Sequence, residues 1–148
     1  MKIVFLHGLE SQPGGQKPQH LERAGHEVHE PALPRGDFKG SVELAQSYID
    51  KYAPDVVVGS SRGGAVAMDV DPRGARLVLV APAWNIYGTN TKIASNSTIL
   101  HSKADDVVPY SDSMTLSGLN NARLIEIGDD HRMNDTRALR AILTAVEA

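Results

Sequence analysis

The 148-residue chain contains no cysteine, which excludes disulfides, thiolate zinc sites and cysteine nucleophiles at once. Aromatic residues are scarce, with two Phe, one Trp and four Tyr, so any pocket has few large rings to line it. Charge of neither sign predominates. A formal net charge of −3 and the lack of a basic stretch argue against nucleic acid as a partner, because neutralising phosphates requires clustered Lys and Arg. No apolar run approaches the length needed to span a bilayer. The first, Ile3-Val4-Phe5-Leu6 behind Lys2, stops at His7-Gly8 and is too short for the core of a signal peptide. The chain therefore reads as cytoplasmic, with no membrane partner. G-x-G-x-x-G, G-x-x-x-x-G-K-[ST] and H-E-x-x-H are also missing, so neither a cofactor nor a metal is expected.

What remains is an ordinary soluble composition, 41% apolar and 22% charged, in a chain of the length of one domain, 1–148. Short β-branched or apolar runs at 2–6, 27–31, 55–59, 77–81, 98–101 and 123–127 read as strands. Several are apolar throughout, as expected of strands buried on both faces of a parallel sheet. Between them, 19–24, 41–52, 63–70, 111–117 and 134–147 read as helices, with Ser41 and Asn134 as N-caps. The alternation predicts an α/β fold, a three-layer α/β/α sandwich with a mostly parallel sheet of about six strands. Ligands of such sheets bind beyond the carboxyl ends of the strands.

Residues 59–63, Gly-Ser-Ser-Arg-Gly, join the strand at 55–59 to the following helix and have the spacing G-x-S-x-G, with Ser61 in the middle. A sharp strand-to-helix turn holds such a serine clear of the sheet, at a helix N-terminus whose free N–H groups favour developing negative charge. Glycines on both sides leave room for the close approach of strand and helix. Ser60 lacks the flanking pattern. One pentapeptide carries little alone, and its weight depends on partners at other strand ends.

Those partners are present. The strand at 98–101 runs into Ser102-Lys103-Ala104-Asp105-Asp106-Val107-Val108-Pro109, and the strand at 123–127 runs into Gly128-Asp129-Asp130-His131. A carboxylate and an imidazole thus follow two later strands, in the order Ser61, acid, His131. With His7-Gly8 after the first strand, G-S-S-R-G, H-S-K-A-D-D-V-V-P and G-D-D-H stand in order over nearly the whole chain. In these motifs the sequence resembles the α/β-hydrolase superfamily, and in 7–14 it is similar to small bacterial esterases of that superfamily.

The sequence departs from the larger superfamily in two ways: the usual N-terminal antiparallel strands are not expected, and only 82–96 separate two strands, which leaves no room for a lid. The resemblance implies a minimal α/β-hydrolase fold. It implies a serine hydrolase acting on small carboxylic esters or thioesters, with a small-molecule ester as its partner. Ser61 would be the nucleophile, His131 the general base and Asp105 the orienting acid. Asp106 is the alternative acid, although it falls on a position that the motif leaves free. The oxyanion hole would be formed by the backbone N–H groups of Leu9 and Arg62. A catalytically silent binding protein on the same fold, and perhydrolase or lyase chemistry at the same triad, remain alternatives.

Trp84, Tyr87, Tyr110 and Met133 fall in loops near the expected site and are candidates to line its pocket. Arg62 and Arg132 would favour a carboxylate-bearing substrate unless Asp129 and Asp130 cancel their charge. His7 is expected to shape the oxyanion loop. His26 and His29 lie in what reads as a polar edge strand, on opposite faces, and do not form a metal site.

Overall fold

The computed structural model describes residues 1–9, 11–88 and 90–148. Six strands, β1 (Lys2–Leu6), β2 (Glu27–His29), β3 (Val56–Ser60), β4 (Arg76–Val80), β5 (Thr98–His101) and β6 (Arg123–Glu126), form one sheet in the order β2-β1-β3-β4-β5-β6. Every pairing is parallel. The helices are α1 (Gln16–Arg23), α2 (Phe38–Tyr52), α3 (Arg62–Asp69), α4 (Trp84–Tyr87), α5 (Tyr110–Asn120) and α6 (Thr136–Glu147). None of these is long and apolar enough to cross a membrane.

The continuous apolar strands are explained by cover on both sheet faces. Val4, Leu6, Val57, Leu77, Leu79 and Ile99 point to one face and bury Ala45 and Ile49 of α2, Val66 and Ala67 of α3, and Leu116 of α5. Their neighbours Ile3, Phe5, Val56, Val58, Val78, Val80 and Leu100 point to the other, against Leu21 of α1 and Ile142 and Ala145 of α6. The period of two along each strand assigns alternate residues to the two cores. Each fully buried Val, Leu or Ile is worth roughly 1.5–3 kcal/mol relative to exposure.

Strand positions match the sequence reading within about two residues, but several ends differ. Helix α2 begins at Phe38 because Asp37 caps it, accepting from Gly40 N at 2.8 Å. Ser41 is therefore not an N-cap; it is fully buried, with its Oγ 2.9 Å from the carbonyls of Pro34 and Asp37. Helix α6 is capped by Asp135, which accepts from Ala138 N at 3.1 Å, so Asn134 lies outside the helix. Helix α1 starts three residues before the expected 19, with Pro18 in its first turn, where a missing N–H costs nothing. The four-residue α4 carries too little periodicity to be read from sequence. Strand β2 spans three residues rather than five and forms an edge, where His29 stacks on Tyr52 with ring centroids 3.6 Å apart.

The chain leaves β1 for β2 on one side and returns through α2 to β3 on the other. The loops after β1 and β3 therefore diverge, and the crevice between them opens at the carboxyl edge of the sheet.

Candidate active site

Ser61 occupies the turn between β3 and α3 with φ 56° and ψ −119°, a conformation that costs a non-glycine residue of the order of 1–3 kcal/mol. Neighbouring backbone holds it there: Ser61 N donates to Val80 O at 2.9 Å, and Ala83 N donates to Ser61 O at 2.9 Å. The flanking glycines permit the turn. A Cβ on Gly59 would stand 2.5 Å from Gly63 O, and one on Gly63 would collide with the carbonyl oxygens of Leu6 and His7.

The Ser61 hydroxyl lies 2.9 Å from His131 Nε2, and His131 Nδ1 lies 2.7 Å from Asp105 Oδ2. Since Nδ1 faces a carboxylate, it carries the ring proton and leaves Nε2 to accept from the serine. The Asp105 side chain is 0% exposed and that of His131 is 18% exposed. Burial alone would push the Asp105 carboxyl up. The bonds from His131 and from Val108 and Val107 N outweigh burial and hold it below the usual value, so it is ionised at neutral pH. Asp105 Oδ1 accepts both backbone bonds at 2.8 Å. Asp106, by contrast, is exposed at the cavity mouth, so Asp105 is the acid that faces His131.

A second imidazole supports this carboxylate. His101 Nε2 lies 3.0 Å from Asp105 Oδ2 and 3.0 Å from Val108 O, two acceptors, so it carries the proton. Its Nδ1 then accepts from Ser113 Oγ at 2.6 Å. Burial lowers the pKa of His101 in spite of the Asp105 charge, which keeps the ring neutral at pH 7. Ser102 Oγ donates to Gly128 O at 2.8 Å and ties the acid loop to the histidine loop.

The loop after β1 is oriented by His7. Leu33 N donates to His7 Nε2 at 3.0 Å, so Nδ1 carries the proton and donates to Gly8 O at 2.8 Å. In a trans peptide the following N–H, that of Leu9, points away from the held carbonyl. Leu9 lines the cavity, as does Gly8, whose Cα neighbours the Ser61 side chain. The N–H of Arg62 opens α3, where no intrahelical acceptor exists for it.

Above Ser61 lies a cavity of about 740 Å³, within the range of small-ligand sites. Of the four residues expected to line it, Tyr87 does. Trp84 is instead buried in the core, donating Nε1–H to Asp112 O at 3.1 Å. Tyr110 meets His101 edge-on, with centroids 5.6 Å apart, and stays outside the cavity. Met133 is 0% exposed and anchors the histidine loop in the core, because the left-handed turn at its own φ of 57° sends its side chain inward.

Arg62 also departs from expectation. It is 3% exposed, its guanidinium bonds Pro34 O at 3.0 Å and Ser41 Oγ at 3.2 Å, and it rests on Phe38 and Tyr87. Its side chain is a strut for the 31–36 loop, and no substrate charge meets it. Arg132 does line the cavity and is exposed there. Lys17, Ser11, Asn134 and Ile86 line it too, none of them expected there from the sequence. Lys17 is unusual only once the helix start is known, since a cation in the first turn of a helix opposes the macrodipole. Among the described residues no group of three His, Asp or Glu side chains could hold a metal.

No protein-family model and no curated protein matches the chain. Solved structures do resemble it over almost its full length. A protein of Xanthomonas campestris pv. campestris assigned to the alpha/beta hydrolase superfamily superposes with a TM-score of 0.77 at 21% identity, covering 98% of this chain and 94% of that one. Alpha/beta hydrolase domain-containing protein 10 from mouse gives 0.80 at 15% identity, covering 99% and 88%. The monoacylglycerol lipase of Paleococcus ferrophilus gives 0.79 at 16% identity, covering 99% and 94%. The chain has the α/β-hydrolase fold.

Proposed function

We propose that the protein is a serine hydrolase that cleaves small carboxylic esters, thioesters included, through an acyl-enzyme. The observation that supports this best is the continuous relay from Ser61 Oγ through His131 to Asp105, at 2.9 and 2.7 Å, on a strained turn facing a cavity. Solved proteins of the same fold include a monoacylglycerol lipase and an esterase domain, which fits the same chemistry.

In this reading Ser61 Oγ bonds to the carbonyl carbon while its proton passes to His131 Nε2. The carbonyl oxygen takes the electron pair and is met by the N–H groups of Leu9 and Arg62, the proposed oxyanion hole. Asp105 stabilises the imidazolium without taking its proton. Collapse expels the alcohol, protonated by His131, and leaves the acyl group on Ser61. Water, deprotonated by His131, then attacks the acyl carbon and releases the acid. The strand-to-helix turn at Ser61 keeps its hydroxyl available to substrate, and the open cavity suits small esters better than long acyl chains.

Labelling with a fluorophosphonate probe, read by intact mass, tests the reading. The wild type is expected to gain one adduct and Ser61→Ala none. An unlabelled wild type, or an equally labelled variant, overturns it.

A further inference from the structure

Ser61 follows β3, which lies between β1 and β4, and the cavity differs in chemistry on its two sides. From the loops after β4 and β5 come Ala83, Ile86, Tyr87, Val107 and Val108. Ile86, Tyr87 and Val107 are among the few large apolar side chains left exposed, as expected of a surface that awaits an apolar group. From the loop after β1 and the start of α1 come Ser11 and Lys17, joined by Asn134.

Lys17 is the unusual member. It is half-buried, and among the described residues its one hydrogen bond is from Nζ to Asn134 Oδ1, 3.1 Å, a neutral acceptor. An ammonium has three donors, and withdrawing it from water without an anionic partner is unfavourable. It also sits in the first turn of α1, where helix dipole and ammonium present the same sign. Burial holds its pKa down to about 8, while Asp130 raises it and Arg132 lowers it. It is still mainly protonated at neutral pH. Among the described residues the other cavity charges, Asp106, Asp130 and Arg132, are exposed, so water weakens their pull on a bound group. One oxygen of Asp130 accepts from Met133 N, at 3.1 Å. The half-buried ammonium is therefore the least hydrated of these charges, and the one that gains most from pairing with an anionic ligand.

We propose that the cavity is built for an ester that carries a carboxylate, received by Lys17 with Ser11 and Asn134 beside it, while Ile86, Tyr87 and Val107 hold the apolar part on the other side of Ser61. This rests on the hydrolase reading and specifies its substrate class. The carboxylate belongs to either the acyl or the alcohol half.

The test compares paired esters that differ only in that charge. For the acyl half the pair is 4-nitrophenyl hydrogen adipate and 4-nitrophenyl methyl adipate; for the alcohol half it is 4-acetoxybenzoate and its methyl ester. One pair is expected to show kcat/KM about tenfold or more higher for the anionic member, the worth of one charge-assisted hydrogen bond. Lys17→Met is expected to bring that ratio down toward one, with Lys17→Gln repeating the measurement. Neutral esters preferred in both pairs, or a ratio unmoved by either substitution, overturns the proposal. If no ester is cleaved and Ser61 takes no fluorophosphonate, it is the hydrolase reading that fails. The subsite is then judged by calorimetric titration of monomethyl adipate. Saturable binding to the wild type that is lost in Lys17→Met supports it, and no binding overturns it.

Discussion

His101 and His131 converge on one oxygen, Asp105 Oδ2, at 3.0 and 2.7 Å. The two rings have different environments: His131 reaches Ser61 and the cavity, whereas His101 is fully buried and bonded on both nitrogens. His101 is thus a positioning residue that acts through the carboxylate. Replacing it by Phe removes a donor from Oδ2 and loosens the carboxylate that orients His131, and kcat is expected to fall about tenfold or more with KM little changed. His101→Gln, which keeps a donor toward Oδ2, is expected to recover part of that loss. Equal losses in the two variants would mean that the role of His101 is packing alone.

The two adjacent acids should separate cleanly. Asp105→Asn is expected to lower kcat/KM by about 10⁴, since the amide favours the wrong His131 tautomer. Asp106→Asn, on the exposed rim, should stay within about threefold of wild type. Ester hydrolysis by the two variants decides the assignment, and a larger loss at Asp106 would reverse it.

Asp105 also links stability to pH. Its folded pKa lies below the ordinary value of 3.8, so the unfolded chain binds its proton more readily. The stabilisation is therefore fully present above about pH 4 and is lost as pH falls through the depressed folded value. Denaturant titrations of wild type and Asp105→Asn should show a stability difference at pH 7 that narrows at pH 3. A constant difference would contradict the link.

Lys17 costs stability at neutral pH where Asp105 adds it. Its pKa is lowered from 10.5 to about 8, so between those values the unfolded chain holds more protons and stability rises with pH. Below pH 8 the buried ammonium costs stability in full. Lys17→Met is expected to raise Tm by a few degrees at pH 7, and by less above pH 10. A Tm lowered at pH 7 would show the ammonium to be a structural group rather than one kept for a ligand.

The elbow has its own test. A Cβ at Gly63 meets backbone oxygens of Leu6 and His7, which cannot yield without moving β1. Gly63→Ala should therefore unfold the protein or cost several kcal/mol. A Cβ at Gly118, within α5, meets nothing within 4 Å, and Gly118→Ala should stabilise by about 0.5–1 kcal/mol. Equal effects of the two substitutions on Tm would disprove the packing account.

The strands were legible because burial on both sheet faces leaves a continuous apolar run, as in Val56-Val57-Val58. The helix starts were less so. Ser41 and Asn134 have side chains fit for capping, but Asp37 and Asp135 were in reach of the free N–H groups, and only the backbone path selects between them. Met133 and Trp84 show the same limit: a residue's place in a loop does not tell whether its side chain turns outward or into the core.

Ser61, Asp105 and His131 were recognisable from sequence because each follows a strand in a parallel sheet, and parallel strands bring such ends to one edge whatever the side-chain detail. Local spacing carries that much. The support of Asp105 by His101, the turning of Arg62 away from the cavity and the isolation of Lys17 beside Asn134 depend on contacts between distant segments. Their physical content is burial and hydrogen-bond geometry, which exist only after the sheet has closed, so the tertiary structure alone decides them.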